Sequence, residues 1–564
     1  MKHLDIKRKI TLLLYILGIY QGMAQLSDLH YFPPLKQTTN NQAVQQQRIH
    51  LSTPETTPFD VNVFQGTSAT AVATFTISNT APATYTLGNG DNNVTLVNNT
   101  NTGVVLSNSG LRFISDNGEK FYVNFRGRSG AQAASLTCKG REAIGQSFKW
   151  GGVPNLGIIS HISNTLGIMA TEDNTTVTIS GYDPDCVFRL QNDPDGITNN
   201  SITVTLNAHQ SYVLETVVNN NNATYAPNAT GFLGASIEAD RPIVINNGGL
   251  NTSVFGTNVT RDAGIDQPVP IEKLGDEYVF IRANGTNILE FVVIIGTEDN
   301  TDIFVNGSAT AIATIDEGEF FQIPGTNYSG TSAGSNMYVT TSENVYAYQN
   351  IGGSSSNATG GLNFVAPVNC EMPDVVDNIP DIRNVGGITM TGGVTIIASS
   401  STPDANINIT DGNGAVTLPA SQTVTGTSDW KTFFISNLTG NVEVQSTGPI
   451  AVGFIGSSGA RGVAGYFSGF DLVPGLTINI TASITCIPSS PIEIQEDETF
   501  DGYQWYKDGV EIAGATGTNF TPTEVGTYQL EVIKGPCTYF SNNLFIRNCS
   551  IITNSRITYR VKKE

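Results

Sequence analysis

The sequence predicts an all-β fold: tandem antiparallel β-hairpin repeats forming a β-sandwich or propeller-like body, followed by a smaller C-terminal β-sandwich. Three observations predict it. β-Branched and aromatic residues alternate with polar ones through most of the 564 residues, the mark of strands with one buried face. The breaks between those runs are rich in Asp, Asn, Gly and Pro, the residues that turn a chain most easily. One phrase also occurs twice: TEDNTTVTI from Thr171 returns as TEDNTDIFV from Thr297.

Taken from the start, residues 1–24 read as a signal peptide. Lys2, Lys7, Arg8 and Lys9 form a basic opening, ITLLLYILGIY is an apolar run too short to span a bilayer, and Gly22 and Ala24 set cleavage before Gln25. No later segment has transmembrane length, so the expected product is exported, extracellular or on the outer cell surface.

Residues 25–475 carry a longer repeat than the opening phrase, with copies near 49–127, 166–250, 290–352 and 393–458. Each copy holds about three alternating segments around a turn. The first kind is LGIMATEDNTTVTIS from Leu166 and EFVVIIGTEDNTDIFV from Glu290. The second is VTLNAHQSYVL from Val204 and ATIDEGEFFQI from Ala313; the third is ASIEADRPIVINNG from Ala235 and MYVTTSENVYAYQN from Met337. Alternation on both sides of a turn predicts hairpins, and it suits a propeller-like ring and successive sandwiches equally.

The TEDN corner is then a turn device, because Asp and Asn bond their own backbone and tolerate the left-handed conformation. A cation site is the rival reading. It would draw on Glu172, Asp173, Glu298 and Asp299, with the DPD of Asp183–Asp185 or the Asp193 and Asp195 of NDPDG. Neither stretch has the alternate ligand positions of an EF-hand loop, so Asp173, Asp299, Asp193 and Asp195 are weak candidates and no metal or cofactor is expected.

From residue 480 to 549 the pattern changes. YQWYKDGVEIAGATGTNFTPTEVGTYQLEV looks like an immunoglobulin-like domain: Trp505 occupies the buried core position and Tyr528, in GTY, resembles the tyrosine corner. Leu530 stands where antibody domains have a cysteine, so the expected disulfide is Cys486 with Cys537. Cys138, Cys186, Cys370 and Cys549 permit three pairings, and no Cys-x-x-Cys spacing points to metal. Residues 550–564 form a basic tail carrying Arg556, Arg560, Lys562 and Lys563.

Catalytic patterns are sparse. GTSAG matches G-x-S-x-G at Ser332, but within a Gly/Ser loop and without the strand–turn–helix that lifts a nucleophile. His30, His50, His161 and His209 are scattered, with no zinc-type spacing. A net charge of −21 disfavours nucleic acid and anionic lipid as partners.

The opening LSDLHYFPPLKQ, the segment IHLSTPETTPFDVNVFQGT and the DRPIVINNGG-type stretches resemble the IgGFc-binding protein N-terminal domain found in bacteroidete surface proteins. There it precedes Ig-like modules in type IX secretion or gliding-motility-associated chains. The resemblance implies an adhesion or binding protein with no catalytic residues, whose partner is an extracellular protein or glycan. The alternatives are a structural component of an envelope or gliding/secretion assembly, and a carbohydrate-active enzyme with an Ig-like accessory domain. The loops expected to meet a ligand are Val218–Gly231, Pro324–Asn336 and Gly352–Gly361, with Tyr225 and Tyr328 as stacking anchors.

Overall fold

A computed structural model describes residues 25–36, 43–157, 162–196, 200–218, 223–255, 261–356, 359–370, 372–467, 470, 479–495, 499–534 and 537–548. The expected signal peptide (1–24) and the basic tail (550–564) lie outside these residues, as do His161 and Cys549. The chain divides into two compact bodies, Met1–Leu472 and Val473–Glu564. Among the described residues the regular elements are β-strands and short 3-10 helices, the longest of the latter Ala223–Ala229.

The first body is built from four modules with one pairing plan. In the first, β1 (Leu29–Phe32), β6 (Leu111–Ser115), β3 (Phe59–Gln65) and β4 (Ala73–Ile77) form one sheet, in that order. Strands β8 (Ala133–Thr137), β7 (Tyr122–Arg128), β2 (Gln45–Ser52) and β5 (Ala83–Thr86) form the other. The second module repeats the plan with β9 (Gly145–Lys149), β10 (Ile162–Ala170), β11 (Thr175–Ser180), β12 (Ser201–Leu206), β13 (Ser211–Val218), β14 (Ser236–Thr252) and β15 (Asp262–Asp266). The third uses β16 (Gly275–Ile281), β17 (Phe291–Gly296), β18 (Thr301–Val305), β19 (Ala313–Ile315), β20 (Phe320–Ile323), β21 (Asn336–Gly352) and β22 (Gly360–Phe364). In both, one 17-residue strand, β14 or β21, replaces the β6–β7 pair and runs through both sheets. The fourth returns to eight: β23 (Val375–Ile379), β24 (Gly393–Ser399), β25 (Asn408–Asp411), β26 (Gly414–Val416), β27 (Trp430–Ser436), β28 (Val442–Gln445), β29 (Ile450–Ser458) and β30 (Arg461–Tyr466).

The alternating segments do form strands, β11 with one buried face and β10 buried along its whole length. Val177 and Ile179 of β11 are buried while Thr176, Thr178 and Ser180 are half-exposed, and the buried pair packs in one cluster with Leu166 and Ile168 of β10. Their pairing corrects the expectation of hairpins at these turns. β10 pairs with β13 and β14, whereas β11 pairs with β12 and β14. The TEDN corner therefore carries the chain from one sheet to the facing one. An arch and a hairpin both bury one face of each arm, so alternation cannot tell them apart.

The repeated corner ties three such arches together. Asp173 Oδ1 accepts the Ala208 N–H at 3.0 Å, and Thr171 Oγ1 donates to the Pro242 carbonyl at 2.7 Å. In the third module Asp299 Oδ1 accepts the Glu317 N–H at 3.2 Å, and Thr297 donates to the Asn344 carbonyl. Asn174 and Asn300 hold φ of +56° and +59°, the left-handed region that Asn tolerates.

The last strands of the modules, β8, β15, β22 and β30, meet around one axis. β8 packs on β15, β15 on β22, β22 on β30 and β30 back on β8, which closes a ring. Glycines allow the approach: a Cβ on Gly361 would lie 2.8 Å from Ala464, and one on Gly462 would lie 2.5 Å from the Thr359 backbone. Two carboxylates of β15 lock the junction. Asp262 accepts N–H groups from Ala133 (3.0 Å), Ala263 (2.9 Å) and Gly462 (2.7 Å), so it joins the second module to the first and the fourth. Asp266 accepts from Lys139 Nζ (3.1 Å), Gln267 (2.8 Å) and Phe364 (2.8 Å), reaching the chain just after β8 and the third module. The Lys139–Asp266 pair is fully buried; removing either partner would strand a charge in the interior.

The C-terminal body contains β31 (Cys486–Ile487), β32 (Gly502–Lys507), β33 (Gly526–Lys534), β34 (Cys537–Phe540) and β35 (Leu544–Asn548) in one sheet. A second, three-stranded sheet faces it. Trp505 is buried opposite Leu530, and the Tyr528 hydroxyl donates to the Glu524 carbonyl at 2.9 Å. The expected Cys486–Cys537 bridge is corrected here. Cys486 lies opposite Arg547, level with the start of β33, whereas Cys537 lies opposite Lys534 at its far end. Eight steps of strand span about 26 Å at ~3.3 Å each, far beyond disulfide reach. Cys370, Cys486 and Cys537 are each disulfide-bonded, but the last two not to one another. Cys138 and Cys186, two of the four cysteines whose pairing the sequence leaves open, are free and buried.

Two outcomes follow from these contacts. Asn300→Val is expected to lower stability by about 1–2 kcal/mol through left-handed strain, and Asn300→Gly to leave the denaturation midpoint nearly unchanged. Asp262→Asn turns one acceptor into a donor and leaves a backbone N–H unpaired, a loss of about 1–3 kcal/mol that faster amide exchange at Gly462 will report. Burial holds the Asp262 carboxyl well above its usual range, so the fold binds that proton more tightly than the unfolded chain. Its contribution is therefore full below the unfolded value of 3.8 and is lost as pH rises through the folded value. The stability gap between the parent and Asp262→Asn should narrow over that rise.

Candidate functional site

The starts of the four axial strands lie together: Ala133, Asp262 and Gly462 share one carboxylate, and Gly361 abuts Ala464. The hairpin tips that precede these strands therefore gather at one end of the axis. They differ in length, from residues 459–460 in the fourth module to residues 253–261 in the second. A rigid frame that brings loops of unequal length together is a natural place for recognition.

Beside this end, between the third and fourth modules, runs a groove of about 520 Å³. One wall comes from Asn284 and the tip residues Gly353, Ser354 and Ser355. The other comes from Thr391 and from Ser436 and Asn437 at the end of β27. Phe434 and Ile455 form the floor, where Phe434 is half-buried against Ala283, Ile351 and Ala464. Alternation along β27 explains this placement: Phe433 points into the core of its own module, so Phe434 points out toward the neighbouring one. Gly353 is required at the seam, because a Cβ there would lie 2.6 Å from Ser457.

Among the described residues no ionisable side chain lines the groove. A buried acid braces its first wall. Glu290 accepts N–H groups from Gly285 (2.8 Å), Gly352 (3.0 Å) and Ala283 (3.3 Å), which pins the two segments of the first wall. Burial pushes its carboxyl up to about 7. Arg282 beside it donates to the Gly285 carbonyl at 2.7 Å and to Asn287 Oδ1 at 2.6 Å. Sequence reading passed over Glu290; its signal is a lone acid heading the apolar run EFVVII.

The residues singled out from the sequence fall elsewhere, with one exception. Asp173 and Asp299 serve arches, Asp193 is exposed, and the side chain of Asp195 lies outside the described residues. Among the described residues no three His, Cys, Asp or Glu side chains gather into a metal-binding set. Ser332 is exposed in a loop where its carbonyl accepts the Ser335 N–H. His30 and His209, drawn down to about 4 by burial, are single packed residues. Tyr328, expected as a ligand anchor, is buried, with its hydroxyl accepting from Gln349 at 2.9 Å. The side chain of Tyr225 lies outside the described residues. The exception is the Gly352–Gly361 loop, which supplies one wall of the groove.

Comparison with known proteins adds two findings. Among solved structures the chain is similar to native E. coli alpha-2-macroglobulin at 10% identity, over 93% of this chain and 40% of that one, with a TM-score of 0.17. At that score the likeness carries no argument. The chain thus spans 40% of the length of that relative, and no curated protein matches it. A family model described as IgGFc binding protein matches residues 133–456, from the first axial strand to the strand that floors the groove. Because that match covers more than half of the sequence and nearly three complete modules of the ring, the chain belongs to the IgGFc-binding protein family.

Proposed function

We propose that the protein is an exported, non-enzymatic binding protein that engages an extracellular protein or glycan through the loop-bearing end of its ring. The observation that carries this reading is the groove's lining, which holds hydroxyls, amides and one aromatic ring but no group able to move a proton or attack a substrate. The family description supports binding as the activity. Among the described residues no helix is long and apolar enough to cross a membrane, which agrees with an exported chain anchored, if at all, by other means. The C-terminal body, with Trp505 and Tyr528 in its core, fits an Ig-like spacer or second recognition module.

The reading is tested on the full chain, with immobilised IgG Fc and an array of extracellular proteins and glycans as probes. Ser355→Arg and Ser436→Arg each place a charged, bulky side chain on an exposed rim and should weaken the bound ligand at least tenfold, about 1.4 kcal/mol. Ser332→Ala should leave binding and stability unchanged. Ligand binding indifferent to both rim substitutions, or turnover of an ester or glycoside lost on changing one carboxylate, would overturn it.

A further inference from the structure

We infer that the groove between the third and fourth modules takes an uncharged oligosaccharide chain, with Phe434 as its stacking surface. The inference rests on the groove being the binding site and names the chemistry of what enters it. A neutral sugar presents an apolar C–H face, a dense rim of hydroxyls that donate and accept at once, and no charge. Each of these has its counterpart here. Phe434 offers a partly exposed aromatic face on a floor shared with Ile455, and the electron-rich face of a ring attracts C–H groups. The exposed rim residues Asn284, Asn437, Ser355 and Ser436 carry amides and hydroxyls, the side chains that can both donate and accept.

Other ligand classes fit poorly. An anionic peptide or polysaccharide would need a counter-charge, which the lining lacks among the described residues, and the whole chain carries −21. An apolar side chain would need apolar walls, yet both walls are polar and only the floor is not. A volume of about 520 Å³ falls within the usual ~300–1,000 Å³ of small-ligand clefts.

The groove is also stiff, as recognition by dispersed weak hydrogen bonds requires. Buried Ser457 donates to the Gly353 carbonyl at 2.9 Å and lies 3.3 Å from the Thr391 hydroxyl, which links the two walls. Glu290 fixes the first wall from below.

The test is titration of the full chain with a panel of neutral oligosaccharides and their sialylated and sulfated counterparts. A neutral oligosaccharide should bind, with an affinity nearly independent of salt from about 0.05 to 0.5 M, because no ion pair is screened. Phe434→Ala should weaken it at least tenfold, while Phe434→Trp retains it. Asn284→Ala, on the exposed rim, should weaken it several-fold and keeps the test decisive if Phe434→Ala fails to fold. Neutral-glycan binding that survives both Phe434→Ala and Asn284→Ala would overturn the inference. So would binding of anionic glycans alone. If no glycan binds but a protein or peptide does, and Ser355→Arg and Ser436→Arg abolish it, the ligand class fails while the groove stands. If every bound ligand ignores those rim substitutions, the groove itself fails.

Discussion

The ring depends on backbone approaching backbone at its axis closely enough for one carboxylate to serve three modules. Asp262 can accept from Ala133 and Gly462 together only because the axial strands sit within hydrogen-bond reach; at the adjoining contact, between the third and fourth modules, Gly361 and Gly462 have no side chains to hold the strands apart. A buried carboxylate is costly unless its oxygens are filled, and here backbone N–H groups of neighbouring modules fill them. The arrangement converts that cost into specificity: an axial strand in the wrong register would leave the charge without partners. Asp266 and Lys139 act the same way one turn of contacts further along.

Much of the body could be read from the chain alone, because strands of one buried face write themselves into sequence as alternation. The Asp and Asn of the repeated corner also announced a turn, and Asn174 and Asn300 do hold the left-handed conformation. What alternation does not encode is the partner. Whether β10 returns on β11 or arches away from it depends on β13 and β14, forty or more residues downstream, and the local residues are the same in both cases. The Cys486–Cys537 expectation failed for that reason too: the two cysteines share a sheet but lie at opposite ends of β33. Tyr328 misled because a Gly/Ser-rich neighbourhood reads as solvent-exposed, while its ring turns inward to Gln349. Of the groove, only the Gly352–Gly361 wall was legible. Phe434, Thr391 and Asn284 come from three distant segments that only the fold brings together.

Charge is partitioned in an orderly way. Several deeply buried examples, Asp262, Asp266, Lys139, Glu290 and Arg282, hold backbone in place, and among the described residues the groove between the third and fourth modules is lined by none. The raised carboxyl pKa values of Asp262, Asp266 and Glu290 follow from that burial, and the backbone N–H groups bonded to them show an architectural role.

The through-running strands β14 and β21 give this ring an uneven mechanics. In the second and third modules a single stretch of 17 residues belongs to both sheets, so those sandwiches cannot part without tearing a ladder. In the first and fourth modules the corresponding strands are separate, joined only by an arch. The seam where the ring's last strand meets its first lies between the two modules that lack such a spine. Compliance is thereby concentrated at the closure: the molecule is a stiff half-circle completed by two softer quarters, and a pull on the ring would be felt first at their seam.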